Sequence, residues 1–176
     1  TRWLVDIKQG QIWRLITPIF LHGSGAPGLG GFLHIFFNMY WVRILVPSAT
    51  EVFGPARTFV LFNVAGAFGF LASNVMSETQ TVGASGAIFG LMAALIVYGR
   101  KRGGSTMTQQ LWGYVVMLGI LGLVMPGVNN WAHGGGFAGG WVGAHLMGFI
   151  DEQREGTGLL VTSLVLILAT AVGIGL

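Results

Sequence analysis

The chain has 176 residues, of which 53% are hydrophobic and only 9% charged. Soluble domains carry roughly a quarter charged residues, so an ordinary water-soluble globule is excluded, and the high hydrophobicity excludes disorder. With no cysteine, disulfides, thiolate nucleophiles and Cys-ligated metal centres are excluded, and nine Lys/Arg against six Asp/Glu are too few and too scattered for a nucleic-acid face.

These exclusions leave an all-α polytopic membrane protein, a single domain over residues 1–176, with the lipid bilayer as its solvent. Residues 1–30 come first along the chain. The run TRWLVDIKQGQIWRLITPIFLH mixes Trp, Phe and Ile with Arg2, Asp6, Lys8 and Arg14, and no charge-free stretch reaches spanning length. It reads as a segment lying along the membrane interface. GSGAPGLGG at 23–31 is a flexible connector.

About 20 apolar residues cross roughly 30 Å of hydrocarbon. Six segments qualify as transmembrane helices: 31–49, 57–76, 82–99, 109–125, 131–150 and 158–176. The first is the most polar, holding His34, Asn38 and Arg43; the last carries no charge. Backbone groups in lipid must bond to one another, so each run should be a helix. Arg100-Lys101-Arg102 after the third run argues for a cytoplasmic loop there, and alternation puts Arg43, Arg57 and Arg154 on the same side. The loops at 76–81 and 126–130 carry no Lys or Arg. Residues 1–30 then lie on the non-cytoplasmic side, with Arg2, Lys8 and Arg14 as exceptions to the rule. A chain that begins at Thr1 on that side is expected either to have been cut there or, the favoured reading, to follow an earlier span upstream.

Polar groups inside a bilayer are costly, so each is a functional candidate. Asp6, Glu51, Glu78, Asp151, Glu152 and Glu155 all sit outside the spans or at their edges, which argues against a carboxylate pair or relay. The sequence has neither H-E-x-x-H nor a P-loop, and no metal or other cofactor is expected. Depth sorts the remaining groups. Ser85 lies about three residues inside its span, roughly 5 Å deep. His133 and His34 lie near the same end of two other spans, with Asn38 one turn below His34. His145 lies some 20 Å away along its helix and cannot join them. A histidine meeting Ser85 across two helices needs close approach, which Gly83, Gly86, Gly90, Gly136 and Gly140 would allow. The imidazole would take the hydroxyl proton and return it to a leaving amine. His34 and Asn38, at i and i+4, share a helix face and with the Ser85 N–H could form an oxyanion hole. With no acid at that depth, the arrangement would be a dyad.

At these positions the sequence resembles the rhomboid intramembrane serine proteases. Gly83-Ala84-Ser85-Gly86 resembles their G-x-S-G motif, and His34-Ile-Phe-Phe-Asn38 their H-x-x-x-N. Ala132-His133 with Gly136 and Gly140 resembles their A-H-x-x-G-x-x-x-G, and Trp13-Arg14 the Trp-Arg pair of their first loop. The resemblance covers about residues 13–150. It implies a rhomboid-like helical bundle around a water-filled cavity, with Ser85 as nucleophile, His133 as general base and His34 and Asn38 as oxyanion partners. Substrates would be single-span membrane proteins, cut near the top of a helix that tends to unwind. The six helices would be family helices two to six plus an additional C-terminal helix at 158–176. Residues 31–150 would be the catalytic helices and 1–30 the first loop. The family's first helix is absent, to be supplied upstream or by a membrane partner. The chain also departs from the family in its long connector before His34 and in Phe89 where many members have Tyr. A bacterial inner membrane, with the site on the non-cytoplasmic side, is the expected setting.

Other readings stand beside this one. A non-catalytic scaffold or chaperone of the same fold would bind membrane helices without cutting them. A small transporter or channel would need internal repeats or paired broken helices, and no half-to-half symmetry is visible. His145 is expected to be structural and His22 a loop-bracing hydrogen bonder. Trp3, Trp13, Trp41, Trp112, Trp131 and Trp141 read as an interfacial belt, and Arg100-Lys101-Arg102 as a topology signal.

Overall fold

A helix that is apolar on every side belongs in the middle of a bundle, and the segment after Gly83 has that character. In the computed structural model, which describes residues 7, 9–22, 29–77, 81–104, 106–147 and 156–175, it becomes the central helix. Readings that fall on residues 1–6, 8, 23–28, 78–80, 148–155 and 176 lie outside the described residues. These include the far N-terminal part of the interfacial segment, most of the connector, Glu78 and the Asp151–Glu155 loop.

Among the described residues, six helices follow two short 3-10 turns, at Ile12–Leu15 and Thr17–Ile19. The helices are α1 (Leu29–Phe53), α2 (Pro55–Met76), α3 (Ser85–Lys101), α4 (Thr106–Val124), α5 (Asn130–Leu146) and α6 (Thr157–Gly175). The fold is all-helical among the described residues, and α1, α2, α4 and α6 are each long and apolar enough to cross a membrane. The two shorter helices, α3 and α5, have seventeen residues each. At 1.5 Å per residue they measure about 25 Å. Each helix lies within a few residues of its expected run. The largest shift at a start is three residues, in α4, which begins at Thr106 rather than 109, and in α3, which begins at Ser85 rather than 82. Gly83 has φ +115°, a backbone conformation that cannot belong to a right-handed helix, so the helix starts only after it.

Thirteen of the seventeen residues of α3 are buried, Ala87 to Val97 without a break. α2 and α5 are packed most closely against it. A Cβ on Gly136 would overlap the backbone of Gly86, and one on Gly140 would overlap the backbone of Gly90. The two backbones therefore touch directly, as small residues permit between helices in lipid. α1 contributes a narrower stripe of Asn38, Trp41, Leu45, Ala49 and Phe53, spaced three or four apart on one face. At the far end of the bundle from Ser85, the Arg100 guanidinium lies 5.4 Å from the ring centres of both Trp112 and Trp141, joining α3, α4 and α5.

The C-terminal helix α6 is mostly exposed and carries the highest mean hydropathy, as a lipid-facing helix should. It rests on α2, where Ser163 Oγ donates to the Ala56 carbonyl at 3.3 Å and to Leu159 at 2.9 Å. Its other end meets the first loop: a Cβ on Gly173 would approach Trp13 at 3.0–3.1 Å and overlap Thr17. Gly173→Leu should therefore push the 3-10 turns off α6. The expected cost is about 1–3 kcal/mol, the usual range for overpacking, read as a lower thermal midpoint in detergent micelles.

Candidate active site

The loop before α3 brings the site together. Gly83 N–H donates to the Pro18 carbonyl at 2.8 Å, which ties this loop to the second 3-10 turn. Ser85 follows as the first residue of α3, so its backbone N–H is one of the helix's free amino-terminal donors. Across the glycine seam, His133 is the fourth residue of α5. Its Nε2 lies 3.0 Å from Ser85 Oγ, within hydrogen-bond reach for proton transfer. The Phe89 ring, one turn along α3, stacks on the imidazole at 4.4 Å between centres and 12° between planes. That contact holds the ring plane without a hydroxyl. His133 Nδ1 is buried and has no hydrogen-bond partner among the described residues.

His34 and Asn38 approach from α1. A Cβ on Gly83 would come within 2.6 Å of His34 Nε2 and 3.8 Å of Asn38 Nδ2, so both groups face the loop two residues before Ser85. Asn38 is 4% exposed and donates to the His34 carbonyl at 2.8 Å, while its Oδ1 has no partner among the described residues. His22, expected to brace its loop, places its ring 5.6 Å from that of His34. His145 stands apart, with Nδ1 2.8 Å from the Trp141 carbonyl one turn back in α5. Among the described residues, no group of three His, Asp or Glu is placed to hold a metal ion.

One part of this arrangement was not anticipated. The Asn129 side chain accepts from the Trp131 and Ala132 N–H groups at 3.0 and 3.3 Å and donates to Ser73 and Thr81 hydroxyls, both at 2.7 Å. An Asn just before a helix is a recognisable N-cap signal, so its capping role was readable. Nothing in the sequence marks Ser73 or Thr81 as its partners.

Gly83 has no room for a side chain and a φ that disfavours one. Gly83→Ala should cost about 1–3 kcal/mol in backbone strain and displace the His34 ring. The expected result is a lower unfolding midpoint in detergent micelles.

The sequence is similar to those of known proteins. The Rhomboid domain family model covers residues 9–150. The chain belongs to the rhomboid family. It is 33% identical over 170 residues to Rhomboid protease GluP of Bacillus subtilis, covering 95% of this chain and 32% of that protein. It is 33% identical over 155 residues to RHOMBOID-like protein 5 of Arabidopsis thaliana, covering 82% of this chain and 45% of the relative. RHOMBOID-like protein 7 of the same plant is 32% identical over 157 residues, covering 84% of this chain and 45% of the relative. The chain thus spans about a third to a half of the length of these relatives. Membership of a rhomboid family and several long apolar helices make this an integral membrane protein.

Proposed function

We propose that the chain is the catalytic part of an intramembrane serine endopeptidase, cutting peptide bonds in or near the transmembrane segments of other membrane proteins. The observation that carries this reading is the 3.0 Å approach of His133 Nε2 to Ser85 Oγ at one end of a membrane bundle. All six helices are read as spans, with residues 31–150 as the catalytic unit, 1–30 as its first loop and 158–176 as an added brace.

The chemistry follows from the atoms at hand. With the proton on Nδ1, His133 Nε2 accepts the Ser85 hydroxyl proton as Oγ attacks the scissile carbonyl carbon. The carbonyl oxygen becomes an oxyanion. The Ser85 N–H, at the amino end of α3, faces it with the positive end of the helix dipole. The His34 imidazole and the Asn38 amide supply further donors. His133 then gives its proton to the leaving nitrogen, the C–N bond breaks, and an ester on Ser85 remains. Water attacks this ester with His133 again as base, releasing the acid and restoring the hydroxyl.

The positive loops at the opposite end support a Ser85 end on the non-cytoplasmic side, and the membrane is read as a bacterial inner membrane. The test is reaction of the purified protein with a fluorophosphonate, which forms a stable adduct only on an activated serine. Mass mapping of the adduct to Ser85 is the expected result. A protein that binds membrane helices, cleaves none and leaves Ser85 unmodified would be the scaffold instead.

A further inference from the structure

We propose that Asn129 is a positioning residue, holding α5 in the register that keeps His133 opposite Ser85 through its bonds to Thr81 and Ser73. This rests on the Ser85–His133 reading above.

Three elements meet at Asn129. Its carbonyl side-chain oxygen caps α5, and its backbone carbonyl accepts from the His133 N–H at 3.3 Å and the Ala132 N–H at 3.1 Å. Its amide nitrogen reaches Ser73, 2% exposed near the end of α2, and Thr81 in the loop that delivers Ser85. The two hydroxyls lie 3.0 Å from each other, which closes a three-membered polar cluster. Thr81 precedes Ser85 by four residues, and Asn129 precedes His133 by four. The Asn129–Thr81 bond is therefore a second rung beside the Ser85–His133 bond, joining the same two segments at the same sequence separation.

The glycine seam below the site sets how closely α3 and α5 approach, but glycine faces can slide along each other. Directional bonds resist sliding, because a hydrogen bond weakens steeply as its length and angle depart from the optimum. The Asn129 cluster supplies that resistance within one turn of the reacting atoms. Proton transfer between Ser85 and His133 needs a separation of roughly 2.6–3.2 Å, so a slip of about 1 Å is enough to matter.

Three variants of the full chain in detergent separate positioning from simple capping. Asn129→Ala removes every side-chain bond. Thr81→Val removes the rung and leaves the cap and the Ser73 bond in place. Asn129→Asp keeps the cap, and both hydroxyls can turn to donate to its carboxylate. For each, the fluorophosphonate labelling rate at Ser85 and the kcat and KM for a reporter span are measured per folded molecule, with the unmodified protein and His133→Ala alongside. Asn129→Ala is expected to lower kcat and labelling rate in parallel by about tenfold or more, with KM within twofold. Thr81→Val should lower both by about threefold or more, and Asn129→Asp should recover most of the loss. A helix cap alone predicts lower thermal stability with unchanged labelling per folded molecule, and that result overturns the proposal. If Asn129→Ala does not fold, Thr81→Val alone decides between these outcomes. Failure of the unmodified protein to react would remove the dyad reading itself, whereas equal reaction of the unmodified protein and the variants removes only the role of Asn129.

Discussion

Ser85→Ala should abolish cleavage of a reporter transmembrane segment, by about 10⁴-fold or more, while leaving the unfolding midpoint unchanged within a degree or two. The size follows from the role: without Oγ there is no nucleophile and no acyl intermediate, and in serine hydrolases such losses reach several orders of magnitude. Stability should hold because Ser85 is not the N-cap of α3, and its side chain bonds across to His133. His133→Ala should lose nearly as much, and the double variant little more than either alone, since the two act as a unit. Gel analysis of a reporter co-reconstituted in proteoliposomes measures the first effect, and thermal unfolding in detergent the second. Cleavage persisting in Ser85→Ala would end the serine mechanism.

The second large effect is expected at the seam between α3 and α5. Gly136→Ala and Gly140→Ala each introduce a methyl group where the backbone of Gly86 or Gly90 already stands. Backbone cannot swing aside as a flexible side chain does, so the helices must separate or shift. Overpacking of this kind costs about 1–3 kcal/mol, and a displacement near 1 Å costs about 10²-fold in rate. Each variant should therefore lose at least about 10²-fold in cleavage, with a clearly lower unfolding midpoint. Gly134→Ala is the control on the same helix, because its Cβ would meet nothing within 4 Å. There alanine should be neutral or slightly stabilising, by up to about 1 kcal/mol, through its better helix propensity. Equal behaviour of Gly134→Ala and Gly136→Ala would mean that the close approach does not matter.

Much of this molecule was legible because a membrane restricts what a sequence can hide. An apolar run long enough to span is almost bound to be a helix, so all six helices could be placed within a few residues of their ends. The same economy drew attention to the candidate site. Ser85, His34, His133 and Asn38 stand out because polar groups in such runs are few and must share a depth to act together. Glycine spacing gave the α3–α5 contact in advance, since G-x-x-x-G on one helix has few other uses. The Asn129 cluster was not legible. Ser73 and Thr81 lie at a helix end and in a loop, where hydroxyls are common and carry no periodic signal. Their meeting depends on the three-dimensional course of α2 and of the loop after it. The exact start of α3 was missed for a related reason: hydropathy continues through residues 82–84, and only the backbone angle at Gly83 ends the loop there. The neighbourhood of His22 and His34 was equally hidden, because the connector between them carries no pattern.

The sheathing of α3 has a consequence for depth. A helix screened from acyl chains on all sides is not obliged to match the thickness of the hydrocarbon, and at about 25 Å it is some 5 Å short of it. α1 and α2 run past its first residue, since Gly83 faces His34, five residues after the start of α1, and Gly86 faces Gly69, seven residues before the end of α2, so the bundle is stepped at that end. On the proposed reading, water entering that step would be walled by protein rather than lipid and could reach Ser85 without being dissolved in oil. Bilayers of different thickness should then tilt or compress α1, α4 and α6 while leaving the Ser85 hydroxyl at the same depth within the bundle.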